Sequence, residues 1–386
     1  MGQVIVKLFD DSVEKPSLNL LNDEATKCMI KYFRNKVTNN SGIIVHIIHN
    51  YINKQDHSEK ERKLLYNNIL ELLDVYDISS YPIFNKGSFA LIRSKGLKII
   101  KIPTENPQDF FLEVIAGLLY QCYKSKIKEL IPHTIHFRWP FPEIHSVFKS
   151  YEDDCVVVMM EKMAYTINDL LDNIKYKSIL VYKDVLIQLI VALYSLQFSI
   201  GFIHRDLHYG NVMVNFGLES ERVMTKYEIE GESIEVYKFF EIFIIDLGQS
   251  CANISKCTTT KCEQIIIQSP AVSYGIHPIE GCFFNNTYDL HLFCGSMSEI
   301  YLQKYFGLYR QSSIEIQNIK KTLVNLSSLD LLMFDLYINA YKPLGNMMKD
   351  TQYNAGFHTI YTLLKNKKPV NIFYPLNLLK FLKKYN

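Results

Sequence analysis

The sequence predicts an α+β chain built in two lobes. A small strand-rich N-lobe spans 80–163, a large and mainly helical C-lobe spans 164–386, and an N-terminal extension of 1–79 precedes both. Three observations predict this. Of 386 residues, 48% are hydrophobic and 21% charged, which supplies more than one core and excludes global disorder. Between Ser79 and Met160, short β-branched and aromatic runs alternate with glycine turns, the pattern of strands. Beyond Met163 apolar residues recur at helical spacing, most clearly at Leu186, Leu189, Ile190, Leu193, Leu196 and Ile200.

The elements follow in order. In the extension, Val4–Phe9 reads as a strand, Asp23–Val37 as a helix and the β-branched run Gly42–Ile48 as a second strand. A helix near Glu59–Asp74 places Leu64, Leu65, Ile69, Leu72 and Leu73 on one face. In the N-lobe, Ile83-Phe84, Phe89–Arg93 and Leu97–Ile102 read as strands turning at Gly87 and Gly96. Asn106 can cap a helix that runs to about Tyr123, and Pro107 suits its first position because the missing N–H needs no partner there. Ile144–Lys149 and Cys155–Met160 complete five strands and one helix. In the C-lobe, strands at Val212–Val214 and Ile242–Ile245 bracket an insert, 216–241. Its Tyr227–Glu232 segment reads as a strand entering a turn, and the insert is expected to be ordered.

Composition also excludes. Lys+Arg is 42 and Asp+Glu 40, so a net charge of +2 gives no general drive toward nucleic acid, and direct nucleic-acid binding is not expected. The first ten residues lack the basic start and apolar run of a signal peptide. Gly2 is not expected to be myristoylated, since Val6 stands where Ser or Thr is wanted. Val185–Ile203 is free of charge and long enough to span a membrane. Gln188, Ser195, Gln197 and Ser199 interrupt it, so it reads as a buried helix and no membrane partner is expected. Eight cysteines are scattered through the chain. Cys251, Cys257, Cys262 and Cys282 are not read as a zinc site, and reduced thiols in an intracellular setting are the expectation.

The segment that carries chemistry is His204-Arg205-Asp206-Leu207-His208-Tyr209-Gly210-Asn211, followed by a short strand; Phe243-Ile244-Ile245-Asp246-Leu247-Gly248 comes later. Asp206 and Asn211 share one loop, and Asp246 ends an apolar strand. Phosphoryl transfer from ATP needs such a set: one carboxylate to orient the attacking hydroxyl and take its proton, and a second carboxylate with an amide to hold magnesium.

These residues resemble the protein-kinase superfamily. The pattern His-Arg-Asp-Leu-x-x-x-Asn is complete at 204–211, and Asp246-Leu247-Gly248 looks like the magnesium loop with Leu for Phe. The resemblance covers roughly 80–386 and implies a bilobal protein-kinase-like fold using ATP and two magnesium ions. It implies that Asp206 is the catalytic base, that Asn211 and Asp246 are the metal ligands, and that His204, Arg205 and Asp289 are structural supports of the loop. Gly87, Ser88, Phe89 and Ala90 align with a glycine-rich loop in which only the middle glycine survives. Lys101, after Ile99 and Ile100, resembles the phosphate-pairing lysine, with Lys98 as the alternative. Glu113, a charge within an apolar run, is its expected partner. Met160, Glu161 and Met163 resemble the hinge that holds adenine.

Three departures point to a branch. Asp206 and Asp246 lie 40 positions apart, beyond the family's usual spacing. Ala-Pro-Glu is missing, with His277-Pro278-Ile279-Glu280 at best a remnant. The loop carries His208 and Gly210. All three resemble the haspin-like atypical Ser/Thr kinases, whose magnesium site usually reads Asp-Tyr-Thr. Divergent kinases of large DNA viruses are similar too, and the abundance of Asn, Ile, Lys and Tyr fits such a source. The resemblance implies transfer to Ser/Thr hydroxyls of a protein substrate inside a host cell, in cytoplasm or nucleus, with packaging in a virion a further option. The alternatives are a small-molecule kinase of the aminoglycoside or choline type, which normally lacks an arginine at the place of Arg205, and a pseudokinase scaffold. The segment after Asp246 carries Thr258, Thr259, Thr260 and Ser269, yet activity is expected without their phosphorylation. Oligomeric state is not legible.

Overall fold

The structure is a computed structural model. It describes residues 5–9, 31, 33–35, 37, 40–52, 59–86, 90–122, 124, 139–200, 202–216, 224–257, 262–268, 287–308, 311–342 and 371–385. The fold is mixed α+β, strand-rich toward the N-terminus and helix-rich toward the C-terminus. The chain divides into two compact units. The first comprises Met1–Leu130, Phe141–Lys162 and Asp246–Cys282; the second comprises Ile131–Pro140, Met163–Ile245 and Phe283–Asn386.

The first unit is organised by a six-stranded sheet in the order Val75–Tyr76, Ile144–Ser150, Val156–Glu161, Lys98–Pro103, Ala90–Lys95, Ile83–Lys86. Neighbours are antiparallel except Val75–Tyr76, which runs parallel to Lys149 and Ser150. The sheet is thus one strand larger than the five expected, because the extension contributes an edge. Strand alternation sorts the Lys98–Pro103 side chains. Ile100 and Ile102 are buried with Ile78, Phe148, Val157 and Met159, and Lys101 lies on the opposite parity. The Pro107–Cys122 helix begins as expected after Asn106, whose carbonyl accepts from the Asp109 and Phe110 amides at 3.0 and 3.2 Å.

Two readings of the extension are corrected. Gly42–Ile48 is not a strand but part of a helix, Ser41–Ile52. The β-branched run is misleading there: Ser41, Ile44, Val45 and Ile48 are buried and Ile43 is exposed, which is the i, i+3, i+4, i+7 stripe of a helix. The next helix is Glu59–Leu70, and it buries Leu65, Tyr66, Ile69 and Leu70 while Leu64 is 47% exposed. The Tyr66 hydroxyl accepts from the Val156 amide at 3.1 Å, tying this helix to the sheet. The expected Asp23–Val37 helix lies largely outside the described residues, of which Lys31 and 33–35 are helical. The N-terminal strand is present as Ile5–Phe9. It is antiparallel to Cys262–Gln268, which pairs in turn with Cys251–Cys257.

In the second unit the Ile179–Ile200 helix is central. Val185, Leu186, Leu189, Ile190, Leu193 and Leu196 are all buried. Its Ile179–Gln197 stretch is long and apolar enough to cross a membrane by length and composition, and most of it is buried inside the protein. Among the described residues, Ile167–Asp172, Tyr288–Phe306, Ser313–Thr322, Ser328–Tyr341 and Pro375–Leu382 are further α-helices of this unit. Ser312 with Glu315, and Ser327 with Asp330, close capping boxes that fix two of these starts. A three-stranded sheet runs Phe240–Ile244, Val212–Phe216, Tyr165–Thr166. The strand-and-turn reading of the insert corresponds to a hairpin, Met224–Ile229 with Glu232–Tyr237, inward on Tyr227, Ile229, Ile234 and Val236. Its two-residue turn needs positive φ at both positions, 50° at Glu230 and 80° at Gly231, and glycine supplies the second without strain. Asp184, on the central helix, anchors the exit of the insert by accepting from the Phe239 amide at 2.7 Å.

Candidate active site

The first unit gathers three charges. Lys101 projects from its strand on the face away from the Ile100 core, and Glu113 lies one to two turns into the Pro107–Cys122 helix. Lys101 Nζ donates to Glu113 Oε1 at 2.9 Å, both side chains half-buried. The ammonium also sits 5.3 Å from the Phe110 ring centroid, a favourable cation–π position. Asp246 is close enough to act on both partners. Burial works to lower the Lys101 pKa, but Glu113 and Asp246 outweigh it and hold the lysine charged above its ordinary value. Glu113 is raised by burial and then by Asp246, against the pull of Lys101.

Asp246 is exposed and adopts a left-handed backbone, φ 62°, at the start of the single turn Leu247–Gln249, which its side chain does not cap. An aspartate held at positive φ is a local strain that surrounding packing must sustain. That packing is visible. Leu247 is buried, and a Cβ added at Gly117 would meet Ile144 Cδ1 at 3.1 Å and Leu247 Cδ1 at 3.8 Å, so Gly117 lets the turn approach the helix. Ser250 Oγ donates to the Leu247 carbonyl at 2.8 Å and lies 3.0 Å from the Tyr120 hydroxyl.

The second unit holds the 204–211 loop. Asp289, fully buried in the first turn of the Tyr288–Phe306 helix, accepts from the His204 amide at 2.8 Å and the Arg205 amide at 2.9 Å. Burial pushes its pKa up to about 6, although both amides and Arg205 favour the ionised form. His204, also buried, is fixed at both nitrogens: Nε2 lies 2.8 Å from the Ile245 carbonyl, and Nδ1 accepts from the Asp206 amide at 3.3 Å. This assigns the proton to Nε2. Arg205 is buried with φ 69°. Asn211 Nδ2 donates to the Asp206 carbonyl at 2.8 Å, closing the loop on itself, and the Asn211 carbonyl accepts from the Ile245 amide at 3.0 Å. Asp206 remains partly exposed.

Several contributors had no signal in the sequence beyond their place in the motif. His208 Nδ1 accepts from the Gly210 amide at 3.0 Å, and a Cβ at Gly210 would meet His208 Cε1 at 2.8 Å, so the His208 ring sits where a side chain at 210 would be. Ser296 Oγ accepts from the Tyr209 amide at 3.1 Å. His291, near Asp289 in sequence, is a core residue. It stacks on Phe373, its Nε2 lies 2.9 Å from the Ala340 carbonyl, and burial lowers its pKa to about 4.

Met160 and Glu161 end the strand Val156–Glu161. Ile99 stands opposite Met160, Lys98 opposite Glu161, and the Glu161 amide donates to the Glu143 carbonyl at 2.9 Å. The division into units falls between Lys162 and Met163. Met163 is buried and its sulfur lies 3.7 Å from Asn215 Nδ2. Ala90 is buried at the start of its strand, whereas Gly87, Ser88 and Phe89 lie outside the described residues, as do Thr258, Thr259, Thr260, Ser269 and 277–280. Among the described residues no group of three or more His, Cys, Asp or Glu side chains gathers as a metal cage. The chain matches no protein-family model, and no curated protein matches it.

Proposed function

We propose that the protein is an ATP-dependent kinase of protein-kinase type that phosphorylates Ser/Thr hydroxyls of a protein substrate. The observation that carries this reading is the surplus carboxylate beside Lys101. One ammonium satisfied by Glu113 needs no second carboxylate for stability, yet Asp246 is held there in a strained backbone conformation. Such an arrangement suits a cation and a polyphosphate. Magnesium-bound ATP would supply the phosphoryl group and the metal charge that stabilises its transfer. Asp246 and the Asn211 side-chain oxygen are hard donors of the kind magnesium accepts, and magnesium needs only one or two carboxylates with phosphate and water rather than a full protein cage.

The chain's own residues then take separate roles. Lys101 would neutralise phosphate oxygens, and Glu113 would hold it in place. Asp206 would orient the acceptor hydroxyl and take its proton, the loop being kept in shape by Asp289, His204 and the Asn211 amide. The Glu161 carbonyl and Met163 backbone would address adenine, with Met160 behind it. The His208–Gly210 pair and the ordered 224–237 hairpin support the haspin-like branch of this reading.

The test offers γ-labelled ATP and magnesium with a protein mixture and, separately, small alcohols and amino sugars. Label on Ser/Thr of protein is the expected result. Label only on a small alcohol would assign a small-molecule kinase, and ATP binding without any transfer would assign a pseudokinase.

A further inference from the structure

We propose that Cys257 and Cys262 form a reversible disulfide that closes the hairpin following Asp246. In sequence these cysteines are separated by four residues. The backbone register sets them directly opposite each other on an antiparallel ladder, Cys257 against Cys262. Opposed residues of such a ladder share a face, with Cα atoms about 4.5 or about 5.5 Å apart depending on the pair type. Both separations fall within the roughly 4.4–6.8 Å that a disulfide spans. The register is held from two sides. Cys262–Gln268 pairs with Cys251–Cys257 along one edge and with Ile5–Phe9 along the other, and a slip of one residue would set Cys257 against Glu263 instead. Cys251 stands opposite Gln268, so it has no cysteine across the ladder. Cys155 and Cys294 are buried, and burial pushes both thiols up, Cys155 to about 12, which makes them poor nucleophiles.

The oxidant is a low-molecular-weight disulfide such as oxidised glutathione. One cysteine thiolate attacks it, forming a mixed disulfide and releasing one glutathione thiol. The second thiolate attacks the protein-bound sulfur, forming the Cys257–Cys262 bond and releasing the second. The two protein thiols lose two electrons and two protons, and the oxidant leaves as two thiols. In a reducing compartment the pair rests as the dithiol and closes on oxidative challenge. This inference does not depend on the proposed function.

The test uses the full chain, purified under reductant, incubated with oxidised glutathione, blocked with N-ethylmaleimide and digested unreduced with trypsin and chymotrypsin. Cleavage after Lys256, Lys261 and Tyr274 puts the two cysteines on separate peptides, Cys257–Lys261 and Cys262–Tyr274, neither holding another cysteine. The expected result is the linked pair, lost on treatment with dithiothreitol and absent in Cys257→Ser and in Cys262→Ser, but retained in Cys251→Ser. In urea the preference for this pair over links to the other cysteines should disappear, which ties it to the folded register. Recovery of both cysteines as maleimide adducts, of separate glutathione adducts, or of links to Cys251 in the folded protein would overturn the proposal.

Discussion

Replacing Asp289 with alanine removes the acceptor of two buried amides at once. His204 and Arg205 donate to its two oxygens at 2.8 and 2.9 Å, and Asp289, His204 and Arg205 are all buried. Each donor left unsatisfied costs about 1–3 kcal/mol, so the pair costs about 2–6 kcal/mol. Removing one partner of a buried charge arrangement costs about 3–5 kcal/mol by an independent route. A loss of about 4 kcal/mol in a unit of this size corresponds to a fall in Tm of about 8–16 °C. Asp289→Asn keeps one acceptor and should lose less. The asparagine also changes the pH dependence. Burial raises the folded-state pKa of Asp289 to about 6, so the native state holds this proton more tightly than the unfolded chain. The stability it contributes is greatest below the ordinary carboxylate range and is lost as pH rises through about 6. Asp289→Asn cannot titrate, so its deficit relative to the parent should shrink between about pH 4 and about pH 7. Asp184 is also raised to about 6 and titrates in both proteins, which is why the difference between them is the quantity to read. Thermal unfolding followed by near-ultraviolet circular dichroism measures this. A Tm for Asp289→Ala within about 2 °C of the parent would refute the reasoning, since that corresponds to less than about 1 kcal/mol.

Three further outcomes follow from the structure. Gly210→Ala should cost about 1–3 kcal/mol, because the new Cβ overlaps the His208 ring. In urea unfolding, combining it with His208→Ala should recover much of that cost, and simple additivity of the two would speak against the contact. Glu113→Gln should leave the fold intact while lowering kcat/KM for ATP by about 10²-fold through a misplaced Lys101; turnover at the parent's level would contradict the positioning role. Deleting residues 1–10 should unpair one edge of Cys262–Gln268 and speed hydrogen exchange at alternate amides of that strand, read by mass spectrometry or NMR. Unchanged protection would show that the Ile5–Phe9 ladder does not form in solution.

What could be read in the sequence was local. The 204–211 motif is contiguous, so it could be picked out without any fold. The Lys101–Glu113 contact was legible because a carboxylate amid Phe110, Phe111, Leu112, Val114 and Ile115 requires a partner. The first strand of the insert and its turn were legible from the alternation around Tyr227 and Ile229, and the structure adds the returning strand Glu232–Tyr237. The failures were tertiary. Gly42–Ile48 has strand-like residues, and only packing decides that one helical stripe of it is buried. The parallel edge Val75–Tyr76 and the Tyr66–Val156 bond join positions far apart in the chain, for which no local pattern exists. The same holds for Asp184, which secures the insert from a helix more than 50 positions earlier. His208 and Gly210 lay in plain view as a motif, but the reason for the glycine, a ring seated where a Cβ would be, needed coordinates.

The most direct measurement is the initial rate of phosphate transfer from γ-labelled ATP to a Ser/Thr-containing protein mixture, for the parent chain beside Asp206→Asn and Asp246→Asn. Both variants should retain the parent's unfolding transition, since Asp206 is only partly buried and Asp246 is exposed. Asp206→Asn should lose nearly all transfer while still binding ATP. Asp246→Asn should lose transfer together with the magnesium dependence of nucleotide binding. Transfer by either variant at a rate near the parent's, on a folded protein, would contradict the account.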